Sequence, residues 1–197
     1  MDASPGRRAA LALLLGAALG GPGRAAASTA NSAVQVLRPS IAPLPAVVLQ
    51  TMAGEARSLE RELATEVPLV LNFVFTTCST SCSLQTAVLA QVQREWRARG
   101  QRLQLASITI DPDNDTPEQL RRFAASFQTG PGWQFYTGRF DDLLRVQKHF
   151  DVYRGSKASH PPVLLLRRHA RAPWLRVEGF PQAAELLALI ESLPAGA

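Results

Sequence analysis

Apolar residues in this chain follow two spacings, and the switches between them mark its elements. Leu69 to Phe75 is almost continuously apolar and rich in Val and Phe, which predicts a buried central strand, with Pro68 at its tolerated first position. Beyond it Leu84, Val88, Val92 and Trp96 recur every fourth residue, predicting an amphipathic helix of about four turns that Gly100 stops. Leu103–Ile110 alternates and predicts a second strand. Thr116-Pro117-Glu118-Gln119 predicts a capped helix start, with Thr as N-cap, Pro at N1 and Gln closing a capping box. Leu120, Phe123, Ala124 and Phe127 supply its apolar face. Gly130-Pro131-Gly132 breaks the chain before a third strand, Trp133–Tyr136. Asp141–Phe150 predicts a short helix buried through Leu144, Val146 or Gln147, and Phe150. Val163–Leu166 and Trp174–Glu178 predict an antiparallel pair around a turn at His169–Pro173. Pro181 opens a last helix carrying Leu186, Leu187, Ile190 and Leu193. Upstream, Val47–Leu49 reads as a short strand, Gly54 as a turn and Ser58–Ala64 as a helical turn. Alternating units closed by a hairpin and a helix predict an α/β domain: a mixed central sheet with helices on both faces.

The first 45 residues follow neither spacing. Arg7-Arg8, the apolar stretch Ala9–Gly21 and Ala25-Ala26-Ala27 before Ser28 have the three parts of an export signal. The stretch is shorter than the roughly 20 residues that span a bilayer, so residues 1–27 predict a cleaved signal peptide in preference to a permanent anchor. Left uncleaved, the same segment would hold the protein to the inner membrane. The compartment implied is the periplasm. Residues 28–45 are rich in Ala, Ser and Pro and predict a flexible linker or extended arm. The formal charge of +5 is too mild for a nucleic-acid surface, so no nucleic-acid partner is expected.

Export changes the reading of the only two cysteines, Cys78 and Cys82. In an oxidising compartment a pair usually makes a structural disulfide. Here the loop between them is too short to constrain much of the unfolded chain, so a bridge would stabilise little. A close pair where strand meets helix suits reversible redox or metal chemistry. The helix N-terminus is expected to favour thiolates at both positions. Thiolates are soft ligands, and two of them leave a metal site incomplete, which calls for a third donor. His149 lies in a helix and His169 in an arginine-rich turn, where packing or solvation suffices. His160 precedes Pro161-Pro162 and an apolar strand, and reaches the cysteines if the sheet returns that strand to the same end. Asp111, Asp113 and Asp115 suggest a calcium loop, but Thr116 and Arg122 stand where its glycine and glutamate belong. Turn formation and the start of a helix account for these aspartates. No phosphate-binding glycine loop or nucleophilic serine motif is present.

Three segments in order, FTTCSTSC after the apolar strand, then DPDNDTPEQLRRFA, then DVYRGSKASHPP, resemble the SCO/SenC family of thioredoxin-like proteins. The resemblance covers residues from about 45 to 193 and implies a domain over residues 46–197. It implies a thioredoxin-like fold and copper held by Cys78, Cys82 and His160. It also implies delivery to the CuA site of cytochrome c oxidase subunit II or to another copper or thiol client. Thiolates suit Cu(I) and imidazole suits Cu(II). Two rival readings keep the same cysteines: a periplasmic thiol–disulfide oxidoreductase with Cys78 and Cys82 as its redox pair, and a redox or copper sensor. The chain departs from the family pattern at Ser79 and Ser83, where proline is usual, and at Ser159, where aspartate is usual. Pro162 stands where thioredoxin-like folds place a cis proline.

Overall fold

In the computed structural model the chain divides into two units, residues 1–30 and 31–197. The described residues are Met1 and 34–194, so the expected signal peptide and the start of the linker lie outside them. No described helix is long and apolar enough to cross a membrane.

The described fold contains, in chain order, β1 (Gln35–Leu37), β2 (Val48–Thr51), β3 (Ala56–Ser58), α1 (Leu59–Leu63), β4 (Leu69–Val74), α2 (Ser81–Ala98) and β5 (Gln104–Thr109). They are followed by α3 (Pro117–Ser126), β6 (Trp133–Thr137), α4 (Phe140–His149), a 3-10 turn (Lys157–Ser159), β7 (Val163–Arg167), β8 (Leu175–Glu178) and α5 (Ala183–Glu191). The strands make one sheet in the order β1-β8-β7-β4-β5-β6-β2-β3. β4, β5 and β6 run parallel, whereas β7 returns antiparallel beside β4 and pairs Asn72 with Leu164. The mixed sheet predicted from the pattern is therefore present. The extended arm contributes β1, an edge strand on β8.

Side-chain alternation divides the core into two layers. Val70 and Val74 of β4 join Leu164 and Leu166 of β7 under α2, α3 and α5, with Leu89, Trp96, Leu120 and Leu186 packed against them. Leu69, Leu71 and Phe73 face the other way, onto Leu59, Leu63, Leu143, Val146 and Phe150 of the α1 and α4 side. Each such side chain contributes about 1.5–3 kcal/mol by leaving water. Exposed pairs such as Arg122–Glu118 contribute about 0–1 kcal/mol each, so burial holds this fold together.

Two predicted faces are out of phase. Leu84 is 52% exposed, and α2 buries Gln85, Thr86, Leu89, Ala90, Val92, Gln93 and Trp96. Gln85 and Gln93 turn inward where partners await them. Asn72 Nδ2 donates to Gln85 Oε1 (3.2 Å), and Gln93 Oε1 accepts from Gly130 N–H (2.7 Å). In α4 it is Leu143, not Leu144, that is fully buried, one position from the predicted face. Thr116 caps α3 by accepting from Gln119 N–H (3.3 Å), while the Gln119 side chain accepts from Arg122 Nε instead of closing a capping box. Gly100, at φ 70°, ends α2 as its position predicts.

Candidate thiol and metal centre

Three loops meet at one end of the sheet. The carboxyl ends of parallel β4 and β5 deliver residues 75–82 and 110–116, and antiparallel β7 begins where β4 stops, which brings the 152–162 loop to the same end. The sheet order thus satisfies the condition on which His160 depended.

Helix α2 begins at Ser81, with Thr80 as N-cap. Cys78 therefore lies in the turn before the helix and only Cys82 lies within its first turn. Both thiols are free and buried. The Cys82 N–H, one of the orphan donors of a helix start, points to Cys78 Sγ at 3.5 Å, and the Ser81 and Thr80 hydroxyls stand 3.5 and 3.7 Å from the same sulfur. Burial raises the Cys78 pKa and is individually the strongest influence. The hydrogen bonds from Ser81, Cys82 and Thr80 together outweigh it and bring the thiol down to about 6. Cys82 moves the other way. Burial, the largest influence, pushes it up to about 12 with the neighbouring Cys78 adding to the rise, against the Phe75 backbone, second in size, and Ser81. The expectation of two helix-stabilised thiolates is thus corrected to one thiolate and one thiol, because the donors converge on a single sulfur. Ser83, at a family proline position, donates its hydroxyl to the Cys78 carbonyl (2.9 Å) and closes the turn.

The His160 ring packs edge-on to Phe73, with ring centroids 6.2 Å apart, and its Nδ1 is buried without a hydrogen-bond partner. Burial lowers its pKa from 6.5, against a smaller opposing pull from the backbone of Val152 and Phe73. A neutral ring with an unclaimed nitrogen is a fit donor for a metal. Among the described residues no three His, Cys, Asp or Glu side chains already stand in metal-binding geometry. The structure therefore joins Cys78 with Cys82 and brings His160 to their end of the sheet, short of a closed three-donor set. His149 packs against Phe150, and His169 Nδ1 accepts from Arg171 N–H, consistent with packing and turn roles. No described peptide bond is cis. Pro162 stands directly before β7, its carbonyl accepting from Gly179 N–H (3.0 Å).

The aspartates do more than form a turn. Asp115 is fully buried and its carboxylate accepts from Thr76 N–H (3.1 Å), Thr76 Oγ (2.6 Å) and Thr109 Oγ, which ties the cysteine turn to the β5–α3 loop. Asp111 accepts from Asn114 Nδ2 (3.0 Å) and from Lys157 Nζ (2.5 Å), the latter three residues before His160. The DxDxD spacing carried a signal of something beyond local structure, but its partners are too distant in the chain for the pattern to name.

A sheet of this order with a thiol pair at the β4–α2 turn defines a thioredoxin-like protein. More narrowly, the chain belongs to the SCO1/SenC family, whose model matches residues 49–168. It is 38% identical over 90 residues to the SCO1 protein homolog of Bacillus subtilis (strain 168), a match covering 45% of this chain and 46% of that protein. The chain thus spans about half the length of this curated relative. Among solved structures it resembles BsSco, a member of the Sco family of cytochrome c oxidase assembly proteins studied for a disulfide switch, with a TM-score of 0.64 and 23% identity. That match covers 78% of this chain and 94% of BsSco. It also resembles Arabidopsis thaliana ScoI with copper bound, with a TM-score of 0.64 and 20% identity over 76% of this chain and 97% of that one.

Proposed function

We propose that this chain is an exported copper carrier of cytochrome c oxidase assembly. It binds one copper ion through Cys78, Cys82 and His160 and passes it to the CuA site of subunit II. The observation that carries the reading is the convergence of two free, buried thiols and an imidazole with an unclaimed nitrogen on one end of the sheet. Family membership and the copper-bound ScoI relative support copper as the cargo. The soft sulfurs favour Cu(I) and the imidazole extends the set toward Cu(II). Copper is captured first by the Cys78 thiolate; Cys82 then gives up its proton to water and closes on the ion, and His160 completes the set. The N-terminal export signature supports a periplasmic location for this work, with inner-membrane anchoring where the segment is retained. Titration of the reduced protein with Cu(I) and Cu(II) tests the assignment. One-equivalent binding should be lost in Cys78→Ser and Cys82→Ser and weakened for Cu(II) in His160→Ala. Intact binding in all three would refute it.

One observation favours a second reading, the contrast between an acidic Cys78 and a protonated neighbour. In a thiol–disulfide oxidoreductase, Cys78 thiolate would attack a partner disulfide and release one partner thiolate. Cys82, losing its proton, would then attack Cys78 Sγ, leaving a Cys78–Cys82 disulfide and a reduced partner. This chemistry is metal-free and independent of His160, which separates it from the first reading.

A further inference from the structure

The loop carrying His160 is held by a residue that the copper-site pattern does not contain. Lys157 Nζ reaches the buried Asp111 carboxylate at 2.5 Å, with the lysine side chain 46% and the aspartate side chain 9% exposed. The same ammonium lies 5.8 Å from the centre of the Phe75 ring. Phe75 belongs to the cysteine turn, since its carbonyl accepts from Cys78 N–H (3.1 Å). Asp111 lies in the loop whose Asp115 grips Thr76. Lys157 therefore touches both other loops of the site at one point. Within its own loop the holds are local: Ala158 N–H to Ser156 Oγ (3.1 Å), Ser159 N–H to the Ser156 carbonyl (3.2 Å) and His160 N–H to the Lys157 carbonyl (3.3 Å). Residues 153–159 are exposed, and Gly155 adopts φ 77°. Such a loop has little burial of its own to fix it.

We propose that Lys157 is the positioning residue of the metal centre: its ion pair with Asp111 holds the 152–160 loop against the cysteine turn, so that His160 needs only a short closure to join the two sulfurs. The inference rests on the metal reading above and adds a residue to it. A charge-assisted bond to a buried carboxylate outlasts an ordinary surface pair, because the aspartate has lost water that it recovers only if the loop leaves.

The test compares the reduced wild type with Lys157→Met, Lys157→Arg and His160→Ala. Lysine at 157 is half-exposed, so the methionine variant keeps the fold, with thermal melting as the control. In the metal-free protein, hydrogen exchange at the amides of Val152, Ala158, Ser159 and His160 should accelerate about fivefold in Lys157→Met and stay near wild type in Lys157→Arg. Cu(II) dissociation constants, read from the thiolate-to-copper absorption, should rise about tenfold in Lys157→Met. Cu(I) affinity should change by less than about threefold, since both sulfurs remain. Unchanged exchange would overturn the proposal whatever the metal data show. Accelerated exchange with wild-type Cu(II) affinity in Lys157→Met, while His160→Ala binds weakly, would also overturn it, leaving the metal reading intact. Wild-type Cu(II) affinity in His160→Ala would sink the metal reading and the positioning role together.

Discussion

The two cysteines should differ sharply in reactivity, and the size of the difference follows from their surroundings. With Cys78 near 6 and Cys82 near 12, at pH 7 about nine-tenths of Cys78 and about 10⁻⁵ of Cys82 are thiolate. A more basic thiolate is intrinsically the better nucleophile. With a Brønsted slope of about 0.45, the difference returns a factor of about 500 to Cys82. The net expectation is alkylation of Cys78 about 200-fold faster than Cys82 at pH 7. Exposures of 8% and 3% widen the gap in the same direction. The assay is pseudo-first-order iodoacetamide labelling of the reduced protein, followed by intact mass, with Cys78→Ser and Cys82→Ser to assign the phases. Because the Cys78 pKa is depressed, its rate should climb as pH rises through about 6 and level off well below 9. Rates within about fivefold of each other, or an inflection near the ordinary thiol value of 9.0, would show that the donors around Cys78 do not stabilise its thiolate.

Further outcomes follow from the same geometry. Ser81→Ala removes the strongest hydrogen bond to Cys78 and should move its titration midpoint upward, measured by thiolate absorbance against pH. Copper(I) binding at pH 7 should release about one proton, almost all from Cys82, and about two from the sulfurs at pH 5, where Cys78 also starts protonated. Calorimetry in buffers of different ionisation enthalpy counts them, and two protons at both pH values would contradict the asymmetry. Asp115→Ala leaves the Thr76 and Thr109 donors without their shared acceptor and should cost about 2–3 kcal/mol in denaturant unfolding. Asp115→Asn, which keeps an acceptor for Thr76 N–H, should cost less than half of that.

The elements were legible wherever local chemistry decides them. The almost continuously apolar β4, the Thr116-Pro117 start of α3 and the Gly100 stop of α2 each follow from a residue and its immediate neighbours. The site was legible in its parts and not in its assembly. Whether His160 shares an end with the cysteines depends on β7 pairing antiparallel to β4, a choice of sheet order that no periodicity encodes. The split between the two thiols depends on α2 starting at Ser81, three residues past Cys78, a boundary finer than the pattern resolves. Leu84 misled because an apolar residue at helical spacing counts as core, while the buried amide of Asn72 draws Gln85 inward instead. Asp111 and Asp115 read as local turn residues because Lys157 and Thr76 lie 46 and 39 positions away.

The Gln85–Asn72 contact extends beyond two residues. Asn72 Oδ1 accepts from Ser107 Oγ (2.6 Å), which itself accepts from Trp133 Nε1 (2.9 Å), so a row of polar side chains crosses three adjacent strands beneath α2. This row acts as a detent. A helix seated on aliphatic side chains alone can slide along its axis between near-equivalent packings, but a slip of one turn here would set Leu89 in place of Gln85 and strand the Asn72 amide. An orphaned buried amide costs about 1–3 kcal/mol, and that cost resists axial travel of α2. On the copper reading proposed above, the cysteine turn would be the stationary half of the site, and the motion needed to admit or release an ion would fall to the opposing loop.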